Sequence, residues 1–320
     1  MDRPPVPARS GSRRNADSLR SLPSAPGLAA WGGLPERDRA VLRWLLVGNT
    51  LTAELAALLA YGSLRTARRR LARLVELGLV RGFWAANSQR PRGRYAYELT
   101  RPVRGELVRT AEPVRRPIRP ERPARGTIHE LATNDLLAAF LRAADPERGL
   151  GLVAWLPERA VAPLFDGYVR PDALAVIGTP SSRIPLLLER DLGTEGSRVV
   201  AAKVERYAML LGGPSAPVNV GIVVESARRV ASIGRAIDAA GSAPASLWLA
   251  TSATLLAAPY DGMWSTPGGD RRRTVDLPGE PSRASAAAGA LCLLDPDAAE
   301  RFELGALEDV PGLRRYVDRR

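Results

Sequence analysis

The chain has 320 residues, 45 % of them hydrophobic and 25 % charged, which is long enough for two domains with a core each. No stretch approaches the ~20 apolar residues of a membrane helix, so no membrane partner is expected. The start, MDRPPVPARSGSRRNADSLRSLPS, is too polar for a secretion signal, and the single cysteine, Cys292, fits a reducing cytoplasm.

The net charge of +12 is unevenly placed. Residues 1–126 hold 25 Arg against 10 acids, whereas residues 127–320 hold 21 basic and 24 acidic side chains. This asymmetry points to a nucleic-acid-binding part joined to a part with another task.

Residues 1–33 are rich in Arg, Pro, Ser and Gly and read as a disordered basic leader. PERDRAVLRWLLVGN then carries apolar residues at helical spacing and ends near Gly48. Thr50 or Thr52 can cap a second helix, TAELAALLA. Ser63 can cap a third, SLRTARRRLARLVELG, whose apolar stripe is Leu64, Ala67, Leu71, Leu74 and Leu77. LVRGFWAANSQRPRGRYAYELT reads as a hairpin with an Arg-bearing turn.

Three short helices and a hairpin over residues 34–110 resemble a winged helix-turn-helix. The resemblance implies that the third helix enters a DNA major groove and the wing touches backbone or minor groove. It places Arg65, Thr66, Arg68, Arg69 and Arg73 of the helix, and Arg90, Arg92 and Arg94 of the wing, toward double-stranded DNA. Arginine suits either contact, because its planar fork is bidentate to phosphate or guanine. A solvated helix face is the plain alternative. Residues 111–126, with four prolines among five arginines, read as a stiff tether between domains.

Residues 127–260 give the order α-β-β-β-α-β-α-β: TIHELATNDLLAAFLRAA, GLVAWLPERAV, VRPDALAVIG, IPLLLERDLG, GSRVVAAKVERYAMLLG, VNVGIVVES, ARRVASIGRAIDAAG and ASLWLATSA. A meander followed by crossover helices gives a mixed sheet flanked by helices, an α+β or α/β fold. Glu189 and Asp191 point to one face of their strand and Arg190 to the other. Asp172 opens the neighbouring strand. Three carboxylates on one surface repel unless a cation lies between them, and hard oxygen ligands favour Mg²⁺ or Mn²⁺.

This order and these acids resemble the PD-(D/E)xK restriction-endonuclease-like fold. The resemblance implies a metal held by Asp172 and Glu189, with Glu130 as the acid of the first helix. It also implies a lysine two residues after Glu189, where this chain has Asp191. Lys203, the only lysine among 46 basic residues, sits on the next helix with Tyr207 one turn later, and is the candidate replacement. A lone lysine in an Arg-biased chain is the plain alternative. Asp191 and Gly193 also have a turn explanation: a side chain accepting turn amides, followed by a glycine at positive φ. His129 reads more simply as a helix-start residue than as a site residue, since no second His or Cys accompanies it.

HELATNDLLAAF, WLPER, RPDALAVIG and LLLERDLGTEGSRVVAAKVERYAML together resemble the actinobacterial replication-relaxation family, over about residues 35–225. That resemblance implies a DNA-binding protein of plasmid or mobile-element replication, relaxation or transfer. Its implied partners are DNA, plasmid replication or transfer proteins, and a second copy in a homodimer. The alternatives are an active Mg²⁺-dependent nuclease or nickase, and a transcriptional regulator whose nuclease-like domain serves only dimerisation. A metal is implied in the catalytic case and no cofactor otherwise. Residues 261–320 read as a loop-like C-terminal extension.

Overall fold

The structure, a computed structural model, describes residues 33–87, 90–110, 125–211, 218–241, 243–244 and 246–281. All but the last residue of the expected leader, all but the last two residues of the expected tether, and residues 282–320 lie outside these.

Helix α1 (Glu36–Gly48) buries Val41, Leu42, Trp44 and Leu45. Its Asp38 points inward with no exposed surface, accepting from the Tyr61 hydroxyl at 3.0 Å and from Arg70 Nε at 3.1 Å. A two-residue strand β1 (Thr50–Leu51) leads into α2 (Ala53–Ala56), where the Thr52 side chain accepts the Leu55 N–H, and a π-helical turn (Ala57–Tyr61) continues it. In α3 (Leu64–Glu76) Ser63 accepts the Thr66 N–H at 3.2 Å, and the stripe buries Ala67, Leu71 and Leu74. Burying each leucine contributes roughly 1.5–3 kcal/mol, which fixes one face of α3 and leaves the arginine face outward.

Strands β2 (Val80–Asn87) and β3 (Arg90–Leu99) form the hairpin, and β1 pairs with β3 to complete a three-stranded sheet. Helix α4 (Arg101–Thr110), which the sequence reading lacks, packs onto this unit through Val103 and Leu107.

Helix α5 (Arg125–Arg142) opens the second part. There follow β4 (Gly151–Pro157), β5 (Ala173–Gly178), β6 (Ser182–Asp191), α7 (Ser197–Leu211), β7 (Asn219–Val224), α8 (Ala227–Ala240) and β8 (Leu247–Thr251), with a short α6 (Glu158–Val161) after β4. The sheet order is β4-β5-β6-β7-β8. Strands β4 to β6 are antiparallel to their neighbours, whereas β6, β7 and β8 run parallel.

Alternation along the strands divides the core into two layers. Leu156, Leu174, Val176, Leu187, Val220 and Ile222 pack under α7 and α8. On the opposite face Trp155, Ala175, Ile177, Ile184 and Leu186 pack against Leu136, Leu137 and Phe140 of α5. The chain is thus an α+β protein with its mixed sheet between helices. The second layer is continuous with the core of α1 to α4, so the two parts share a hydrophobic cluster.

The stretch after residue 260 departs from its loop-like reading. Beyond a short helix α9 (Ser252–Ala257), strands β9 (Met263–Ser265) and β10 (Arg271–Arg273) extend the sheet, and β11 (Glu280–Pro281) pairs with β6. Trp264 is fully buried and donates its indole N–H to Thr274 Oγ1 at 2.8 Å. Strands of two or three residues carry too few alternations to stand out from Gly- and Pro-rich turns.

Candidate functional site

Four elements converge on one cavity of about 80 Å³, lined among others by His129, Glu189, Asp191, Glu195, Lys203 and Tyr207. The register of β5 against β6, with Ala173 opposite Leu188, brings the residue before β5 alongside Glu189. The Asp172 N–H donates to the Leu188 carbonyl at 2.8 Å, and Asp172 Oδ2 accepts the Arg190 N–H at 2.7 Å. Asp172 is therefore locked against the backbone flanking Glu189. Arg190 turns to the other face, donating to the Val223 carbonyl at 2.9 Å and pairing with Glu225.

The second turn of α5 contributes His129, whose Nε2 lies 2.7 Å from Asp172 Oδ2. From α7, the Tyr207 hydroxyl donates to Glu189 Oε1 at 2.5 Å. Four residues earlier on α7, Lys203 faces the same cavity with its ammonium 2.8 Å from Glu195 Oε2.

The electrostatics follow from crowding. Burial, then the negative charge of Asp172, pushes the Glu189 carboxyl up to about 8, against the opposing pull of Tyr207, Lys203 and His129. Burial alone would lower His129, but the hydrogen bond and charge of Asp172, with Glu189 behind it, outweigh burial and raise it. Lys203 is also raised, because Glu195 and Glu189 overcome its partial burial. Burial and the adjacent Glu189 hold the Tyr207 phenol well above its usual range.

Of the expected catalytic set, Asp172, Glu189, Lys203 and Asp191 meet at this place. Asp191 is fully partnered there: Arg229 Nε lies 2.5 Å from its Oδ2, and its Oδ1 accepts the Gly193 N–H at 2.9 Å. Gly193 has φ 75°, the left-handed turn position where a side chain would be strained.

Glu130 is a correction. Its carboxylate accepts both N–H groups of the Asn49 amide, at 2.9 and 2.8 Å, and so joins α5 to the loop after α1. Neighbouring residues on a helix point about 100° apart, and here His129 lines the cavity while Glu130 turns to Asn49. His129 takes the position expected for Glu130. Its own signal was its place beside that acid at the start of the first helix. Tyr207 had a clearer one, the i, i+4 spacing from Lys203.

On the arginine-rich part, Arg65, Arg68, Arg69 and Arg73 are all exposed along α3. Arg68 lies 3.7 Å from Glu54 and Arg73 lies 3.0 Å from Glu76, both in water-exposed pairs, while Arg65 and Arg69 have no acidic partner among the described residues. Thr66 is half-buried, its hydroxyl bonded to Ser63 Oγ at 2.9 Å. Arg94 is the second correction: it is bound to Asp135 of α5 at 2.6 Å, on the inner side of the hairpin rather than toward a groove. The side chains of Arg90 and Arg92 lie outside the described residues.

The donors do not form a cage for an ion. Among the described residues no group of three or more His, Cys, Asp or Glu is placed to hold a metal. One oxygen of each candidate carboxylate is already engaged, on Asp172 by His129 and on Glu189 by Tyr207.

Fold and site together define an α+β protein in which an arginine-bearing helical unit is packed onto a mixed sheet with a carboxylate cavity. Residues 42–224, more than half of the chain, match the replication-relaxation family, and the chain belongs to that family. This membership supports a role in replication or relaxation. No curated protein and no solved structure matches the chain. Among the described residues no helix is long and apolar enough to cross a membrane.

Proposed function

We propose that the chain is a DNA-binding protein of plasmid or mobile-element replication, relaxation or transfer, gripping double-stranded DNA as a winged helix-turn-helix does. The observation that carries this reading is α3: one face is buried through Ala67, Leu71 and Leu74, and the outward faces present Arg65, Arg68, Arg69 and Arg73. Guanidinium groups without a close acid displace counterions from DNA, so affinity should fall steeply with salt. The test is fluorescence anisotropy of a labelled duplex at stepped salt. An Arg65→Ala/Arg69→Ala variant should bind more weakly, with a shallower salt dependence. Wild-type protein that ignores duplex even at low salt sinks the reading.

A second reading, a nuclease or nickase, is favoured by one observation: Glu189 and Lys203 line a cavity with His129 and Tyr207, and Asp172 adjoins it through its contact with His129. There the ammonium of Lys203 would stabilise charge developing on a phosphate. Supercoiled plasmid incubated with the protein and Mg²⁺ or Mn²⁺, beside Asp172→Ala and Glu189→Ala, decides it. Nicking that both substitutions abolish establishes the enzyme, and nicking that survives both places the activity elsewhere.

A further inference from the structure

The hairpin presents two unlike faces. Pairing sets Trp84 opposite Tyr95, Gly82 opposite Tyr97 and Phe83 opposite Ala96, so alternation puts Trp84, Tyr95 and Tyr97 on one side and Phe83, Ala85 and Ala96 on the other. The second side is anchored: Ala85 and Ala96 pack on Leu131 of α5, with Phe83 and Ile128 beside them. The outer part of the first side faces water, while Tyr97 at its inner end is buried in the core. Trp84 is 68 % exposed and Tyr95 43 %, although burying each ring would be favourable.

These rings form an ordered ladder. Trp84 and Tyr95 lie edge to face with centroids 5.3 Å apart, as do Tyr95 and Tyr97. Gly82 makes the ladder possible, because a methyl group there would collide with the Tyr95 phenol. At its inner end Tyr97 feels the charge of Arg68 on α3. The ladder therefore runs outward from the arginine face.

We propose that this face is a stacking platform for unpaired nucleobases, so that the protein binds duplex DNA beside a single-stranded segment. The inference rests on the DNA-binding reading above. Aromatic rings bordered by arginine suit single strands, since every base has a face to stack and the backbone is anionic. Charge disfavours a second copy of the chain as the occupant, because a two-fold contact would set the same arginines against each other.

The experiment compares a blunt duplex, the same duplex with a single-stranded arm, and the free single strand, each labelled and bound by the full chain. Wild type should bind the duplex with an arm more tightly than the blunt duplex, and only the two DNAs with unpaired bases should engage the platform. Trp84→Ala should weaken binding to those two on the order of 10-fold and leave the blunt duplex unchanged, with Trp84→Phe restoring most of the loss. Tyr95→Ala should act in the same direction. Equal weakening on all three DNAs, or none, overturns the platform while the duplex-binding reading stands. Unchanged DNA affinity with a smaller mass in solution assigns the face to a second copy instead. Wild-type protein that binds none of the three DNAs sinks both readings.

Discussion

The arginines of α3 and the carboxylates around β5 and β6 are opposite uses of charge. On α3, Arg65 and Arg69 are exposed and have no acidic partner among the described residues, so their field is available to a partner. Around the cavity, Asp172 and Glu189 are turned toward each other and toward His129, Lys203 and Tyr207. Their charges are largely answered from within, and burial, then the charge of Asp172, makes Glu189 hold its proton more tightly. An exposed cation surface tells what it attracts. A closed acidic site tells what it must first release or exchange.

Arg70 lies on α3 between the exposed arginines, yet it belongs to the inward kind. It binds Asp38, which has no exposed surface and also accepts the Tyr61 hydroxyl. Asp38→Ala leaves both donors without their acceptor and should cost about 3 kcal/mol, visible as a large drop in thermal unfolding temperature. A loss under ~1 kcal/mol would show that water replaces the carboxylate easily.

The pH dependence comes next in size. Glu189 binds its proton more tightly in the folded state (about 8) than in the unfolded chain (~4.3), so its contribution to stability is complete below ~4.3. That contribution is lost as pH rises through about 8, and the raised His129 slopes the same way above its ordinary range. In metal-free buffer, denaturant unfolding at pH 5 and pH 9 should differ by a few kcal/mol at most, with the protein less stable at the higher pH. Glu189→Gln should flatten that difference; an unchanged slope assigns it elsewhere.

Arg65→Ala and Arg69→Ala, by contrast, should leave stability within ~0.5 kcal/mol. Each should reduce the slope of log affinity against log salt by about 1, which titrations at several salt concentrations measure. A loss of folding instead would place these side chains with Arg70.

The smallest effect is expected at Lys203, whose partner Glu195 is also partly exposed. Lys203→Met should cost under ~1 kcal/mol in denaturant unfolding. A larger loss would mean that Lys203 holds the acid pair together.

Helices α1 to α3 were legible because apolar spacing and capping residues such as Thr52 and Ser63 act within a few residues. The meeting of Asp172 with Glu189 was legible too, since a hairpin register and a period of two fix which side chains become neighbours. Helix α5 was not. It buries Leu131, Leu136, Leu137, Ala138, Ala139, Phe140 and Leu141, so it has no clean polar face from which to read its rotation. One residue of rotation decides between His129 and Glu130. The hairpin was equally silent about its sides, because Phe83 and Trp84 are both aromatic and only α5 determines which is covered.

The sequence by itself determined most elements up to residue 260, their order and the charge contrast, since these rest on periodicity, caps and composition within short windows. Tertiary structure decided which charges remain free: Asn49 claims Glu130, Asp135 claims Arg94 and Arg229 claims Asp191, across separations of 38 to 81 residues. The physical reason is range. A hydrogen bond or ion pair is made within about 3–4 Å, and chain order alone does not say which distant side chain arrives there.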